Sequence, residues 1–595
     1  LLKIQHVPAQ SLLALCFNHE AAVQLRRRLR ALAGDAANGV TVMTYHGLAM
    51  RLTGTSFSAL AGRSAAGTKA SGEMDFEQPL RDAIRLLRGE WTVESAERDE
   101  ARDRLLAGFR YILVDEYQDV DDLQYELISA LAGRTLKDPD AKLGLVAVGD
   151  DDKSIYAFRG ADVRFIRRLE KDYEAEMCGL TSNYRSSKAI LDAAGRVIAE
   201  NRGRMKVDLP IHVDRRRSKD PSGEPVRLLE VKDLETQALE LLRQVENWHK
   251  AGVDWKDMAV LGVNHEDLDA FRSVAESESV PLNVRISPGE WAKGSGLPAL
   301  WRMRECMMLL EKLQARAGQR VSRGTLEEAI AAVRQACGGG TWPDMLAAMG
   351  EDFPEEEAVA EEWIEYFHES LAGFRREGRL GRRGIWLSTL HAAKGTEHGC
   401  VAVAGRWQNP WRKDPEEARR LLYVGMTRAK HALAVVDWSE EGCPILDPLR
   451  RTDSVIWGKE TEPKGRLPLK RYRVLGPADF DLSFAGRGDA GRVERIAKAL
   501  GKVREGERLN WEETRSGIIL KTAEDGVALL SRDGSRRFIQ HAGQVEEIRV
   551  LGVYGWRKED AEPEWRKTYA TNRWGIPLCE VVLRREEGEK RDIVL

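Results

Sequence analysis

The chain has 595 residues, of which 43% are hydrophobic and 31% charged, and its formal net charge is −3. This length exceeds what one hydrophobic core needs, so we expect several domains. Because no apolar run approaches the length of a bilayer crossing and the first residues lack a signal-peptide pattern, we expect a cytoplasmic protein with no membrane partner. The seven cysteines include no C-x-x-C pair, which fits neither a zinc ribbon nor a disulfide framework.

The first part of the chain shows the pattern of an α/β domain. "LLALCF", "HEAAVQLRRRLRALAG" and "GVTVMTYH" predict a strand, an amphipathic helix and a second strand. A Gly/Ser/Ala-rich loop at 54–72 and a charged helical stretch follow, and then "YILVDE" and "LGLVAVG" predict two further strands. Short apolar strands that alternate with helices are typical of a parallel sheet covered on both faces. We therefore predict a first α/β domain over 1–175 with a helical insertion at about 47–110.

A second series of the same kind begins near residue 177. It predicts strands at "PVRLLEV", "MAVLGV", "GIWLSTLH", "CVAVAG" and "ALAVVD", and helices at 187–201, 233–250, 265–277 and 415–428. Between about 291 and 381 the strand signal vanishes, and Leu, Met, Ala, Glu and Arg recur at helical spacing. We therefore predict a second α/β domain over 176–445 with a helical insertion at about 291–381.

The C-terminal part has a different character. A linker rich in Pro, Lys and Arg is predicted over 446–475, and a small β-rich domain over 476–595. Its Asp-Gly steps at 525–526 and 533–534 are typical of hairpin turns, and "CEVVLRREEGEKRDIVL" predicts another hairpin. Core positions are expected for its tryptophans, with nucleic-acid or protein binding as the alternative. These are Trp511, Trp556, Trp565 and Trp574.

Two carboxylates, Asp115 and Glu116, directly follow the apolar strand "YILV". In an open α/β sheet, ligands bind beyond the carboxyl ends of the strands, so these acids are expected in a ligand crevice. A nucleotide-bound Mg²⁺ needs a hard oxygen ligand, and hydrolysis needs a carboxylate that orients or deprotonates water. The alternative is an acidic helix N-terminus that complements the helix dipole, and for an isolated Asp-Glu pair this alternative is favoured.

Four further stretches repeat the design of an apolar strand followed by polar residues. They are "LVAVGDDDKSIYAFRGA" (145–161), "LTSNYRSS" (180–187), "WLSTLHAAKGTEH" (386–398) and "EEARRLLYVGMTRAKHALAVV" (416–436). Together with "LLALCFNHEAAVQLRRRL" and "VTVMTYHGLAMRL", they resemble, in order over about residues 11–438, the motifs of UvrD/Rep-type superfamily 1 DNA helicases. The resemblance implies an α/β fold with two RecA-like domains of the P-loop NTPase type, helical insertions and a small C-terminal β domain.

The resemblance implies ATP and Mg²⁺ as cofactors and assigns residues of the first α/β domain to them. Asp115 resembles the Mg²⁺ ligand, Glu116 the catalytic base, and Gln118 belongs to the same motif. Asp150 and Lys153 follow the next strand and are candidates for nucleotide binding.

The second α/β domain is expected to complete the nucleotide site. Arg185 and Arg428 resemble the family's arginines that reach the γ-phosphate. Planar guanidinium groups stabilise the charge that spreads over a transferring phosphoryl group, and their arrival across a cleft would tie hydrolysis to domain closure. Tyr184 resembles the tyrosine that stacks on adenine, and Glu397 resembles the ribose contact.

Single-stranded DNA is the implied polymer, and it would cross both α/β domains. Every base offers a π-face, and binding must ignore sequence for a motor to move. For each aromatic residue taken alone, a core role is about as expected as a DNA role. The candidates by motif position are Phe17, Tyr45, His46, Tyr156, Phe158, Arg159, Thr389, His391 and Lys394.

The largest departure from the family is a missing motif. G-x-x-x-x-G-K-[ST] occurs nowhere in the 595 residues. In the family this phosphate loop lies just upstream of the segment that corresponds to Leu1–Phe17, and its backbone N–H groups and lysine hold the β- and γ-phosphates. We therefore expect this chain by itself to hydrolyse ATP poorly or not at all.

Smaller departures concern single positions. Lys153 stands where the family usually has a glutamine that links the γ-phosphate to the DNA site, and a lysine cannot accept a hydrogen bond. Coupling between the two sites is therefore in question. The sequence around Asn18, His19 and Glu20 resembles that of UvrD-like modules at the end of long RecQ-type fusion helicases.

The sequence thus predicts an ATP-dependent 3′–5′ DNA helicase or single-strand translocase, without its phosphate loop, that acts in repair or recombination. Single-stranded DNA and DNA junctions are the expected partners, and no specific protein partner is indicated. The alternative is a non-hydrolysing DNA-binding or scaffolding module that retains the helicase fold. Asp115, Glu116, Arg185 and Arg428 favour the enzyme, because a decayed site has no reason to keep four separate catalytic groups.

Overall fold

A computed structural model describes residues 1–17, 19–55, 77–90, 108–134, 142–157, 160–206, 211–214, 223–284, 300–353, 355–377, 384–439, 442–460, 469–561 and 563–585. The chain divides into two compact units. The first unit comprises Leu1–Ser56, Asp75–Leu282 and Arg383–Arg466, and the second comprises Phe57–Met74, Asn283–Arg382 and Leu467–Leu595.

The N-terminal part of the first unit contains a four-stranded parallel sheet. Its strands, in spatial order, are Thr41–Thr44, Leu12–Cys16, Tyr111–Val114 and Gly144–Ala147. Its helices are His19–Ala33, Tyr45–Thr53, Gln78–Leu87, Asp122–Leu131 and Arg164–Tyr173. All five residues of Leu12–Cys16 are buried, as expected for an inner strand of a parallel sheet.

Side-chain caps define where two of these helices begin. The Thr44 hydroxyl accepts a hydrogen bond from the Gly47 backbone N–H (3.0 Å), and an Asp121 carboxylate oxygen accepts from the Gln124 backbone N–H (2.8 Å). Each cap satisfies one of the backbone donors that a helix start leaves without an intrahelical acceptor. The chain therefore turns into a helix directly after the strand at Thr44 and after the acidic loop that precedes Asp121.

The remainder of the first unit is built on a seven-stranded sheet. Its strands, in spatial order, are Val455–Glu460, Val226–Val231, Ala429–Asp437, His398–Gly405, Met258–Gly262, Ile385–Thr389 and Leu282–Val284. The pairings among the first six strands are parallel. The helices are Lys188–Ala199, Leu234–Lys250, His265–Ser277, Gln408–Lys413, Pro415–Met426 and Asp447–Arg450. A short parallel pair joins Ser182–Asn183 to His212–Val213.

The second unit combines the helical insertion with the C-terminal β region. The insertion contains helices Arg304–Gln314, Arg323–Cys337, Thr341–Asp352 and Ala360–Glu377 and an antiparallel pair, Arg320–Ser322 with Glu357–Val359. Two three-stranded antiparallel sheets follow. The strands of one are, in spatial order, Lys470–Leu475, Arg573–Arg584 and Val545–Arg557. The strands of the other are Asn510–Thr514, Gly517–Lys521 and Gly526–Leu529. Helices Ala490–Lys502 and Arg532–Ile539 complete this region.

Two polar contacts join the insertion to the C-terminal sheets within this unit. The Arg302 guanidinium makes two hydrogen bonds of 2.7 Å to the Asp560 carboxylate, and the Trp342 indole N–H donates to the Leu551 carbonyl (2.8 Å). The bidentate Arg–carboxylate geometry adds orientation to charge attraction. Segments that lie more than a hundred residues apart in sequence therefore pack as one body.

The α/β fold and its helices were predicted well. The helix predicted at 265–277 has those bounds in the structure, and those predicted at 233–250 and 415–428 differ by one or two residues. The linker predicted over 446–475 is wrong in part, because Val455–Glu460 pairs with Val226–Val231 and Lys470–Leu475 pairs with Arg573–Arg584. No helix among the described residues is both long and apolar enough for a membrane span.

The hairpin predictions had mixed outcomes. The Asp-Gly step at 525–526 does connect two antiparallel strands. Asp533–Gly534 instead lies in a helix, where the Ser531 hydroxyl accepts from the Gly534 N–H (3.1 Å) and a Cβ on Gly534 would lie 2.2 Å from the Asp479 carbonyl oxygen. This glycine allows close packing and does not form a turn. Residues 579–584 continue one long strand, and 586–595 lie outside the described residues.

The four C-terminal tryptophans do not share one environment. Trp574 is buried, and Trp511 and Trp556 pack against the core of this region. Trp565 is 48% exposed, with the Arg487 guanidinium 5.2 Å from its ring centroid. The predicted core role therefore holds for three of the four.

Candidate functional site

The acidic loop begins where the strand Tyr111–Val114 ends. Glu116 adopts φ 50°, in the left-handed region, which is uncommon for a residue other than glycine. The backbone N–H of Glu116 donates to an Asp115 carboxylate oxygen (3.0 Å), and Tyr117–Asp119 forms a single 3₁₀ turn. The left-handed conformation of Glu116 turns the chain at the carboxyl end of the strand, two residues after Val114.

Gln118 links this loop to the end of the neighbouring strand. Its amide N–H donates to Glu116 Oε2 (2.5 Å), while its amide oxygen accepts from the Asp150 backbone N–H (2.8 Å). The side chain is fully buried. A Cβ on Gly149 would lie 2.7 Å from the Gln118 amide oxygen, so this close approach needs glycine. Gln118 therefore fixes the position of the Glu116 carboxylate.

The two carboxylates of the loop have opposite pKa shifts. Burial, and then the charge of Glu116, raises the pKa of Asp115. Burial also opposes ionisation of Glu116, but the positive charges of Lys394 and Lys153 hold the pKa of Glu116 below its ordinary value. Glu116 is therefore a carboxylate at neutral pH, the form that can accept a proton from water.

Lys394 occupies the interior next to this loop. Its ammonium nitrogen lies 2.5 Å from Asp119 Oδ2 and 2.6 Å from the Lys153 carbonyl oxygen. It also lies 5.2 Å from the centroid of the Tyr156 ring. The side chains of Lys394 and Asp119 are only 6% and 2% exposed. The sequence placed Lys394 among the DNA contacts, whereas the structure places its charge inside the first unit.

Asp150, Asp151 and Asp152 lie within ligand distance of one another, but they are neutralised by basic groups. Asp152 binds the Arg204 guanidinium through two hydrogen bonds of 2.8 and 2.6 Å. The Lys206 ammonium lies 2.5 Å from Asp150 and 3.1 Å from Asp152. The cluster is therefore a network of ion pairs, and its chemistry does not favour a divalent cation.

Lys153 also pairs with Asp150, at 3.3 Å. Burial opposes ionisation of Asp150, while Lys153 and Lys206 keep the pKa of Asp150 below its ordinary value. Asp150 is thus occupied by two ammonium groups.

The two predicted phosphate-binding arginines lie in different environments. Arg185 is about one third exposed, and its Nε–H donates to Glu397 (2.8 Å). Glu397 also pairs with Lys430 at 2.8 Å. Arg428 is buried and donates to the carbonyl oxygens of Val424 (2.8 Å) and Thr396 (3.2 Å). Burial, and then the charge of Arg185, lowers the pKa of Arg428 to about 10, so the group stays protonated at neutral pH.

Three predicted DNA residues form an aromatic row. Phe17 stacks on Tyr156 with ring centroids 5.6 Å apart and planes 10° apart. The Tyr156 hydroxyl donates to the His391 carbonyl (2.7 Å), and the His391 ring lies 6.5 Å from the Tyr156 ring. Phe17 and Tyr156 belong to the four-stranded half and His391 to the seven-stranded half, so the row spans both.

The other predicted site residues are dispersed. Tyr184 is 54% exposed, as a base-stacking side chain requires, and Thr389 and His46 are partly exposed. Tyr45 is only 1% exposed and belongs to the core of the four-stranded half, which favours the core role. Phe158 and Arg159 lie outside the described residues.

Four polar residues of the site were not predicted from the sequence. They are Asp119, Arg204, Lys206 and Lys430. Asp119 lies four residues after Asp115 in the same motif, and Lys430 lies two residues after Arg428, so both could have been found by local position. Arg204 and Lys206 follow a helix without any pattern of their own. Only the tertiary structure brings these two residues to the three aspartates.

Comparison with protein families gives three matches along the chain. Residues 63–174 match the UvrD/REP helicase N-terminal domain, and residues 178–286 and 384–436 match two models of the UvrD-like helicase C-terminal domain. The three matches support a UvrD-type superfamily 1 helicase. The order of the matches agrees with the order of the two sheets, and the prediction of the family is confirmed.

Curated relatives agree with this similarity to UvrD-type helicases. DNA helicase II of Haemophilus influenzae is 25% identical over 428 residues, which cover 55% of this chain and 55% of the relative. The ATP-dependent DNA helicase PcrA of Staphylococcus aureus (strain Mu50) is 38% identical over 154 residues, 26% of this chain and 19% of the relative. The chain spans about half the length or less of the curated relatives it matches.

The solved structures similar to this chain include the C-terminal domain of a possible DNA helicase from Lactobacillus plantarum WCFS1. It covers 46% of this chain and 98% of its own length at 13% identity, with a TM-score of 0.23. That score is too low to support an argument about the fold.

Proposed function

We propose that this chain carries the catalytic carboxylates, the arginines and the single-strand platform of an ATP-dependent DNA helicase. The single-strand platform is the row of rings formed by Phe17, Tyr156 and His391. The observation that supports this most is the joining of two sets of residues. Lys394 from the seven-stranded half pairs at 2.5 Å with Asp119, which follows Glu116 and Gln118 in the loop of the four-stranded half. The charge of Lys394 also lowers the pKa of Glu116. The two curated relatives named above are DNA helicases by name, and PcrA is described as ATP-dependent.

The donor chemistry fits Mg²⁺-ATP on the carboxylate and arginine sides of the site. Asp115 offers a hard oxygen, as Mg²⁺ prefers, and the partly exposed Arg185 offers guanidinium donors for phosphate. When bound, Mg²⁺-ATP supplies the phosphoryl group and a divalent charge. The phosphate loop that would cradle the β- and γ-phosphates does not occur in the sequence.

Each residue then has a defined task in hydrolysis. Glu116, positioned by Gln118, accepts the proton of the attacking water. Asp115 would hold the Mg²⁺ of a bound nucleotide. Arg185 and Arg428 place positive charge where negative charge develops on the phosphoryl oxygens, and Arg185 must exchange its contact with Glu397 to do so.

The remaining site residues are proposed to bind the adenosine part of ATP and the bases of single-stranded DNA. Tyr184 is proposed to stack on adenine, since its ring is exposed, and Glu397 to contact the ribose. Phe17, Tyr156 and His391 are proposed to stack on successive bases of single-stranded DNA. Movement from 3′ to 5′, action on DNA junctions, and a role in repair or recombination complete the proposal.

Two features of the sequence limit hydrolysis by the chain as given. Without the phosphate loop, we expect slow ATP hydrolysis or none. Lys153 replaces a glutamine usual in the family, and its ammonium is engaged by Asp150. Attachment to a RecQ-type partner domain stays a prediction of the sequence.

The test compares the chain as given with a version extended at its N-terminus by a phosphate loop from a UvrD-type relative. Phosphate release is measured with and without poly(dT), and oligonucleotide binding by fluorescence anisotropy. We expect both proteins to bind single-stranded DNA and only the extended one to hydrolyse ATP in a DNA-stimulated way. In the extended protein, Glu116→Gln should abolish turnover while DNA binding persists.

The second candidate function is a DNA-binding or scaffolding module that does not hydrolyse ATP. The observation in its favour is that the 595 residues contain no G-x-x-x-x-G-K-[ST] motif. If the extended protein binds single-stranded DNA but hydrolyses no ATP, this second function replaces the first. If turnover persists after Glu116→Gln, Glu116 is not the base.

A further inference from the structure

We propose that Lys394 is a positioning residue that braces the acidic loop against the single-strand platform, and that it does not contact DNA phosphates. This inference rests on the proposed function, because it assigns a coupling role within the same site. It departs from the sequence reading, which counted Lys394 among the DNA contacts. Four contacts of the described residues carry it.

The first contact is the ion pair with Asp119. The two charged atoms lie 2.5 Å apart, and both side chains are almost fully buried. Asp119 belongs to the 3₁₀ turn that directly follows Glu116, and Lys394 belongs to the loop after the strand Ile385–Thr389. A buried charge left without its partner is strongly destabilising, so the two loops must stay together.

The second and third contacts use the rest of the ammonium group. It donates to the Lys153 carbonyl oxygen at 2.6 Å and lies 5.2 Å from the centre of the Tyr156 ring. A lysine has three N–H donors, and a cation near an aromatic face is attracted by the ring. With Asp119, Lys153 and Tyr156 around it, the ammonium has little capacity left for a DNA phosphate.

The fourth contact joins the segment of Tyr156 to the loop of Lys394 a second time. The Tyr156 hydroxyl donates to the carbonyl of His391, three residues before Lys394. Tyr156 and His391 are two of the three rings in the proposed base-stacking row. Lys394 therefore holds the acidic loop on one side and the stacking rings on the other.

The same loop continues to the arginine side of the site. Thr396 offers its carbonyl to Arg428 (3.2 Å), and Glu397 accepts from Arg185 (2.8 Å). A shift of Lys394 relative to Asp119 must therefore move the contacts of both arginines. The brace thus provides a physical route by which a base on the stacking row changes the geometry around Glu116.

The test is a double-mutant cycle on the full chain with Lys394→Met, Asp119→Asn and the double variant. The measurements are the dissociation constant of fluorescein-labelled dT₁₅ at several salt concentrations and the midpoint of thermal unfolding. The matched control is Arg450→Met, which breaks an ion pair of the partly exposed Arg450 with the buried Glu230, away from the site.

A brace predicts that each single variant weakens dT₁₅ binding about tenfold, the effect of losing one base–aromatic stack. The double variant should bind no worse than either single variant and should recover thermal stability, because no buried charge is then unpaired. The slope of log affinity against log salt should stay unchanged. Arg450→Met should lower the unfolding midpoint while dT₁₅ affinity stays as in the unmodified chain.

Three results would overturn the inference. A salt slope reduced by about 0.7 in Lys394→Met alone, with Asp119→Asn unaffected, would make Lys394 a phosphate contact. Unchanged dT₁₅ affinity in all three variants would make the ion pair merely structural. Independent, additive losses would remove the brace. Failure of the unmodified chain to bind dT₁₅ is a different result, because it overturns the proposed function itself and the inference with it.

Discussion

Replacing Arg204 by methionine should destabilise the first unit more than any exposed ion pair could. Arg204 makes two charge-assisted hydrogen bonds, of 2.8 and 2.6 Å, to Asp152, whose side chain is only 2% exposed. Removal of one partner of a buried ion pair typically costs about 3–5 kcal/mol. Lys206 stays within 3.1 Å of Asp152 and retains part of the compensation, so about 3 kcal/mol is expected.

Urea unfolding followed by tryptophan fluorescence measures this loss, with thermal unfolding as a second probe. Arg88→Met is the matched control, because Arg88 pairs with Glu126 at 3.2 Å while both side chains are nearly half exposed. Such a surface pair contributes about 0–1 kcal/mol. Asp152→Asn combined with Arg204→Met should recover most of the loss. If Arg204→Met costs no more than the control, Asp152 is not held by this pair and the interpretation of the aspartate cluster is wrong.

Three further predictions concern the site and its surroundings. Phe17→Ala should weaken binding of dT₁₅ by about 1–3 kcal/mol in anisotropy titrations if a base stacks on this ring, whereas the buried Tyr45→Phe should leave the affinity unchanged. Lys153→Gln should change the unfolding midpoint little, because Asp150 keeps Lys206. It should also raise the pKa of Glu116 and move the acid limb of ATP hydrolysis by the loop-extended protein to higher pH, and an unmoved limb would contradict the electrostatic assignment. Burial raises the pKa of Asp267 to about 7, so this group favours the folded state below pH about 4 and loses that contribution as the pH rises towards 7. Asp267→Asn should therefore make the free energy of unfolding depend less on pH between about 4 and 7. An equally steep pH profile in the variant would exclude Asp267 as the cause.

Local sequence patterns were sufficient for many of the elements and for the motifs that indicate the family. The helix 265–277 was predicted to the residue, and in the structure Asn264 is its N-cap residue. The strand that carries Asp115 and Glu116 was evident from four apolar residues followed by acids. Both signals are contained within a few neighbouring residues, so no tertiary information was needed.

Long-range pairings were not predictable in the same way. The edge strand Val455–Glu460 appeared as linker, because its exposed Ile456 and Trp457 and its charged end lack the alternation of a buried strand. The ion pair of Lys394 was not predictable for a related reason. A lysine in a motif next to proposed DNA contacts suggests a phosphate ligand, and only the arrival of Asp119 from 275 positions earlier in the chain shows an internal ion pair.

The backbone at Glu116 bears on the choice between a working site and a retained scaffold. A residue other than glycine at φ 50° costs about 1 kcal/mol or more, and such conformations persist where the surroundings impose them. Here the carboxylate is held by Gln118, and Gln118 is in turn fixed by the Asp150 N–H. The charges of Lys153 and Lys394 keep Glu116 ionised although burial opposes it. A scaffold would gain stability from glycine at position 116 and has no use for a partly buried carboxylate, whereas a base for water activation needs both the fixed position and the charge.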